Sequence, residues 1–267
     1  MLIGDSYRAY PETPFASKDR KPVLSAQQTP RQNRLLAALP LEDYERLLPK
    51  LELVPLPAGW IIHSAGALEK YVFFLTEGFV CRVYVTETGA SARLGLTGRE
   101  GVIGVAAVLG GESTPTQAVV LGAGYAYRLG ADALNDEFSY PGALVPLLLR
   151  YTQALIAQTA QIAVCNRHHT LEQQLCRWLL GCADRSPSNK ISMTQELIAN
   201  MLGVRREGVT EAAGHLQAAG LIHYNRGHIT VLDRPGLEAR SCECRKVVRR
   251  EYARLIPGFV LAPARLS

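Results

Sequence analysis

Arg205, Arg206 and Glu207, with Thr210 and Glu211 one turn later, form a cluster whose types and spacing suit the edges of nucleic-acid bases. An arginine can donate two hydrogen bonds to guanine O6 and N7, and a glutamate can accept from the cytosine amine. Arg206 and Glu207 are therefore the first candidates for sequence readout. Thr194 and Gln195 lie just upstream, and their side chains and amides suit phosphate oxygens, contacts that position a protein without specifying bases. Arg226 and His228 flank Gly227 and could touch the sugar-phosphate backbone, although a plain solvated hairpin explains each nearly as well.

The elements that must hold these side chains are legible in the same stretch, ISMTQELIANMLGVRREGVTEAAGHLQAAGLIHYNRGHITVL. Ser192 followed by Gln195 reads as a capping box that opens a helix burying Leu197, Ile198, Met201 and Leu202. Gly203 closes it, and a second helix is expected from about Arg205 to Ala219, with Val209, Ala212, Ala213 and Leu216 inward. Two short helices joined by so tight a turn make a helix-turn-helix, in which the start of the second helix enters the major groove. After Gly220, LIHYNRGHITVL reads as two short strands around Asn225-Arg226-Gly227, a wing.

Upstream, residues 1–30 have the composition of a mobile arm. Arg31 to Lys50 reads as two short helices separated by Pro40. Between Leu51 and Asp132, short runs of Val, Ile, Phe, Tyr and Leu divided by Gly or Pro indicate a β-sandwich or roll, with Gly59, Gly66, Gly78, Gly89, Gly98 and Gly124 at positive-φ turns. The domains are set at 31–140 for this roll, as a sensor or effector domain, 141–168 for a long helix, 169–236 for the winged helix-turn-helix and 237–267 for a helical tail. In the long helix, Leu144, Leu148, Tyr151, Leu155, Gln158, Ile162 and Cys165 form an a/d seam. That seam predicts pairing with a second copy, Gln158 setting the register, and the alternative is that it packs on the chain's own β-domain. A second helix from Thr170 to Cys182 buries Leu171, Leu175, Trp178 and Leu179. In the tail, Arg245, Lys246, Arg249 and Arg250 mark a basic helix, packed on the wing domain or adding a DNA contact.

Composition excludes other classes. Of 267 residues, 48% are hydrophobic and 20% charged, so the chain is neither disordered nor membrane-spanning in bulk, and the net charge of +5 favours an acidic partner only weakly. No run approaches the roughly 20 apolar residues of a membrane helix, and the start lacks a signal-peptide pattern, so the cytoplasm is expected. The six cysteines show no paired framework and are expected reduced; Cys242 and Cys244 form a lone C-x-C, two ligands where a zinc site wants four, and stay unassigned. A cupin-type enzyme would need several metal-binding His and Glu, yet residues 51–132 hold His63 alone among histidines. No enzyme activity, cofactor or metal is assigned.

The stretch TQELIANMLGVRREGVTEAAGHLQAAGLI resembles the helix-turn-helix signature of the Crp/Fnr family of transcription regulators, and the order of parts matches over roughly Arg31 to Leu232. The resemblance implies an α+β fold: a double-stranded β-helix (jelly roll) like cyclic-nucleotide-binding domains, a long dimerisation helix, and the winged helix-turn-helix. It also implies a homodimer on an inverted repeat in double-stranded DNA, half-sites roughly 34 Å apart, with RNA polymerase as a further partner. Arg206 and Glu207 fall on the family's base-contacting pair. Glu211 stands where many members have a second arginine, which implies a different operator. Gly104 is followed by Val105 rather than glutamate, and no arginine occurs between Arg99 and Arg128, so the anchors for a cyclic phosphate are missing and cyclic AMP is not expected to bind. A regulator responsive to a cyclic nucleotide or another small ligand through an atypical β-roll pocket remains the alternative. No cysteine precedes Cys81, so an N-terminal iron-sulfur cluster is not available, and His63, His168 and His169 read as surface or hydrogen-bonded groups rather than haem or metal ligands.

Overall fold

The computed structural model describes residues 28–186 and 188–259, in two compact units. The expected mobile arm lies outside the described residues apart from its last three, of which Pro30 is buried at the start of a 3-10 turn. Among the described residues no helix is long and apolar enough to cross a membrane.

The first unit comprises residues up to Arg82, Thr97–Thr152 and Ile256–Phe259. Two short helices, α1 (Arg34–Ala37) and α2 (Leu41–Leu47), stand either side of Pro40 as expected. Asn33 starts α1 from a buried position. Its Oδ1 accepts from the Leu35 and Leu36 amides while its Nδ2 donates to the Leu75 and Gly101 carbonyls, so burial leaves none of its amide atoms unbonded.

Strands β1 (Glu52–Leu56), β2 (Ile61–His63), β3 (Tyr71–Val85), β4 (Ser91–Thr97), β5 (Val102–Ile103) and β6 (Gln117–Gly130) share one sheet, ordered β1-β6-β3-β4, with β2 also on β6 and β5 on β3. Val54, Trp60, Phe73, Leu75, Ile103 and Val120 lie in its core. Gly59, Gly66, Gly78 and Gly89 take positive φ as expected, whereas Gly98 and Gly124 do not. Gly124 is required for a different reason: a Cβ there would sit 2.2 Å from the Glu77 carbonyl oxygen. Helix α3 (Val105–Leu109) follows β5, and α4 (Ala131–Glu137) follows β6.

Helix α5 (Leu144–His168) corrects the expected dimer seam. Leu144, Leu148, Tyr151, Leu155, Gln158, Ile162 and Cys165 are all buried inside the chain itself. Tyr151 donates to the Val102 carbonyl at 3.1 Å, with Thr97 Oγ1 3.2 Å away. Gln158 donates to the Leu96 carbonyl at 3.3 Å, so its polar group serves this chain's own backbone and not register between copies. The large apolar side chains that α5 leaves exposed are Leu149, Ile156 and Val164, at 48%, 65% and 47%.

The second unit holds Val83–Leu96 and Gln153–Leu255. Its elements after α5 are α6 (Leu171–Ala183), β7 (Lys190–Ser192), α7 (Gln195–Leu202), α8 (Arg206–Ala218), β8 (Ile222–Asn225), β9 (His228–Val231), α9 (Arg234–Arg240) and α10 (Cys244–Leu255), with the strands ordered β7-β9-β8. A capping box between Thr170 and Gln173 starts α6, which buries Leu175, Trp178 and Leu179; Leu171 is half-buried. Asp184, just past the end of α6, bonds Arg234 of α9 and Arg245 of α10. With its side chain 2% exposed, that carboxylate requires both cations. Tyr252 and Leu255 bury the inner face of α10.

Candidate nucleic-acid interface

Helix α7 starts two residues later than the capping box at Ser192 would place it. Thr194, not Ser192, is the N-cap, accepting from the Leu197 amide at 3.1 Å. Ser192 belongs to β7, where its hydroxyl lies 3.2 Å from His228 Nδ1. Ile198, Met201 and Leu202 are buried, and Leu197 is half-buried. Gly203 ends the helix at φ +69°, left-handed backbone that glycine adopts without steric cost.

Arg205 is the N-cap of α8 and among the described residues its side chain makes no capping bond, which leaves the first amides of that helix open to a phosphate. Val209, Ala212, Ala213 and Leu216 are buried as expected. Gly208 lets α8 approach α6 closely, since a Cβ there would lie 2.9 Å from Leu171 Cδ2. With the inner face fixed, Arg205, Arg206, Glu207, Thr210 and Glu211 all face solvent. Among the described residues Arg206, Glu207 and Glu211 enter no ion pair, which leaves Arg206 able to donate and both carboxylates able to accept. Thr210 has one hydroxyl proton and two acceptors in reach, Gln195 Oε1 at 2.8 Å and the Arg206 carbonyl at 3.1 Å.

The wing is a hairpin in which Asn225 pairs with His228. Both residues of its turn, Arg226 and Gly227, have positive φ, at +43° and +85°, the pattern of a two-residue hairpin turn. Arginine adopts that backbone only with strain. The Gly227 carbonyl accepts from the Met193 amide at 2.8 Å, tying the wing tip to the start of α7. Thr194, Gln195, Thr210 and His228 are thereby gathered on one exposed surface with Arg206 and Glu207. The sequence pattern named these residues but not the Met193–Gly227 bond that assembles them.

In the first unit the stretch after β5 departs further from a phosphate site. Glu69, 4% exposed, accepts from the Ala106 amide at 3.0 Å and from the Thr114 hydroxyl at 3.4 Å, so a carboxylate already takes an amide of the first turn of α3. Burial pushes the Glu69 carboxyl up from its usual range. His63 Nε2 stands 3.4 Å from Glu69 Oε1, and burial, opposed by the Ser64 and Thr116 backbone and aided by Arg82, brings the imidazole down to about 4, keeping it neutral near pH 7. Arg82 on β3 acts on both groups as the nearby cation. Its Nε and Nη2 are buried without a hydrogen-bond partner among the described residues. Arg82 lies outside the arginine-free stretch between Arg99 and Arg128, on a neighbouring strand.

A second group that sequence reasoning did not assemble lies in the other unit. The C-x-C pair gains two neighbours from the end of α5, and Cys165, His169, Cys242 and Cys244 have donor atoms within 4.8 Å of one another.

Comparison with known proteins bears on both units. The model of the Crp-like helix-turn-helix domain matches residues 173–240, and that of the cyclic nucleotide-binding domain matches residues 53–140. No curated protein matches the chain. Among solved structures, FixK2 from Bradyrhizobium japonicum is 16% identical, with a TM-score of 0.62 over 72% of this chain and 98% of that one. A Crp/Fnr-family protein from Eubacterium rectale is 19% identical, with a TM-score of 0.61 over 79% and 98%. A CRP-family transcriptional regulator from Thermus thermophilus is 20% identical, with a TM-score of 0.55 over 71% and 96%. Identities this low speak to the fold.

Proposed function

The chain belongs to the Crp/Fnr family of DNA-binding transcription regulators, and from that premise we propose that it binds an inverted repeat as a homodimer, Arg206 and Glu207 reading bases in each half-site. The observation that carries this reading is the exposed, unpaired state of Arg206 and Glu207 on the first turn of a helix whose opposite face is buried. Thr194, Gln195, Arg205, Arg226 and His228 surround them with phosphate-binding chemistry, and Thr210 holds Gln195. Glu211 faces the same groove as an acceptor for a base amine, which favours an operator unlike that of relatives carrying arginine there.

Dimerisation runs through the outward side of α5, at Leu149, Ile156 and Val164. The protein acts in the cytoplasm on double-stranded DNA, with RNA polymerase as a further partner, and without enzymatic activity of its own. Its effector is not cyclic AMP, because the Glu69 carboxylate already occupies the Ala106 amide and no arginine stands between Arg99 and Arg128 to hold the cyclic phosphate. Isothermal titration with cyclic AMP checks this point, and micromolar binding overturns it.

Arg82 favours a second reading of the sensor half, in which a small anionic effector pairs with its buried guanidinium. Arg82→Leu then abolishes any ligand-induced rise in Tm found by screening small carboxylates and phosphates.

Selection from random DNA tests the main reading. An inverted repeat is expected, and Arg206→Ala lowers affinity for it by about 1–3 kcal/mol while relaxing preference at one base pair of each half-site. Unchanged affinity and preference in that variant would remove Arg206 from the readout.

A further inference from the structure

Cys165 and His169 stand one turn apart at the end of α5, where the His169 amide donates to the Cys165 carbonyl at 3.1 Å. Cys242 and Cys244 flank Glu243 at the junction of α9 and α10. All four belong to the second unit, and the three cysteines are buried together. Cys165 Sγ lies 3.6 Å from Cys242 Sγ, and Cys244 Sγ lies 3.4 Å from His169 Nδ1.

These separations are those of ligands around one tetrahedral ion: bonds of about 2.3 Å to sulfur and 2.0 Å to nitrogen put the donors roughly 3.5–3.8 Å apart. We propose that Cys165, His169, Cys242 and Cys244 bind a single zinc ion in a closed Cys3His site. The surroundings supply what such a site needs around its ligands. The imidazole points Nδ1 at the site and holds a carboxylate on its other nitrogen, Nε2 to Glu243 Oε2 at 3.2 Å, which fixes the tautomer and strengthens the donor. Gln161 donates to Cys244 Sγ at 3.2 Å. Three thiolates, a neutral imidazole and a divalent cation leave one net negative charge, and Arg177, the nearby cation acting on Cys165 and Cys244, has a buried Nη1 without a hydrogen-bond partner among the described residues. Soft thiolates in a compact tetrahedron select zinc over hard cations. Donors this close leave no room for a polynuclear iron-sulfur core with bridging sulfides. With four protein ligands and no open position the ion is structural, fastening the end of α5 to the start of α10.

The test is the metal content and ligand field of the full-length protein, purified under reducing conditions without chelator. Near-stoichiometric zinc is expected. Replacing it with cobalt(II) yields intense thiolate-to-metal charge transfer with tetrahedral ligand-field bands, and Cys165, Cys242 and Cys244 resist a thiol reagent until a chelator is added. Cys244→Ser and His169→Ala lose most of the zinc, while Cys81→Ala keeps it. Because the cobalt spectrum is read on the unmutated chain, a variant that fails to fold does not decide the outcome. A reduced wild-type protein that takes up neither zinc nor tetrahedral cobalt, or that carries iron with acid-labile sulfide, overturns the proposal.

Discussion

Thr210 on α8 donates its hydroxyl to Gln195 Oε1 on α7 across 2.8 Å, joining the two helices on the face they both expose. The bond orients a glutamine at the first position of α7, where a phosphate contact is proposed. Thr210→Val therefore leaves Tm nearly unchanged, as surface substitutions within about 0.5 kcal/mol do, while lowering affinity for the selected operator several-fold. Thermal melts and anisotropy titrations on one preparation check both; equal affinity would mean the pair does not order Gln195 for DNA.

Arg226 holds a left-handed backbone at the wing tip, φ +43°, at a cost in strain. Replacing it with Gly relieves the strain and, net of the glycine's extra unfolded-state entropy, raises stability by up to about 1 kcal/mol. Affinity falls across all DNA sequences and the salt slope drops by about 1, the mark of a lost phosphate contact. A sequence-selective loss would point to base readout at the wing instead.

The two faces of α5 separate folding from assembly. Ile156→Glu, at a side chain 65% exposed, leaves the melt essentially unchanged but yields a monomer in sedimentation and weakens binding to the full repeat. Leu148→Ala, at 0% exposure, costs about 2–5 kcal/mol of stability. If Ile156→Glu stayed dimeric, the dimer face would lie elsewhere.

Stability depends on acid through His63. Its folded value is brought down to about 4 by burial, so between roughly pH 6.5 and 4 the unfolded chain binds the extra proton. The stabilisation is complete above about pH 6.5, declines as pH falls towards 4 and levels off below, by an amount on the order of 3 kcal/mol. Glu69, pushed up by its own burial, works in the opposite sense above the ordinary carboxylate value. Comparing His63→Gln with the wild type in denaturant melts over this window isolates the histidine, and parallel curves would show that it does not titrate on unfolding.

The helix-turn-helix was legible because everything that defines it is local. Apolar period, turn glycine and outward arginines lie within one short stretch, and intervals of three and four residues state which side chains share a face. The same rule names the cap only approximately: Ser192 and Thr194 are both good caps, and pairing of β7 with β9 takes Ser192 for the sheet.

What periodicity determined about α5 was an apolar stripe; what covers it was decided by packing. The strong stripe from Leu144 to Cys165 is used by the chain's own core, leaving Leu149, Ile156 and Val164 exposed, since a heptad pattern is satisfied by any apolar surface. The cysteines mark the sharpest limit. Spacing along the chain displayed a C-x-C two ligands short, and the donors that complete it come from the end of α5, with Cys165 and Cys242 separated by 77 positions. Short-range pattern and residue type were enough to recognise the helix-turn-helix and to see that no arginine stands between Arg99 and Arg128. Which face of α5 is exposed, where Glu69 lies and how four distant donors meet came from folding, because each depends on contacts between segments whose separation in sequence carries no record of their distance in space.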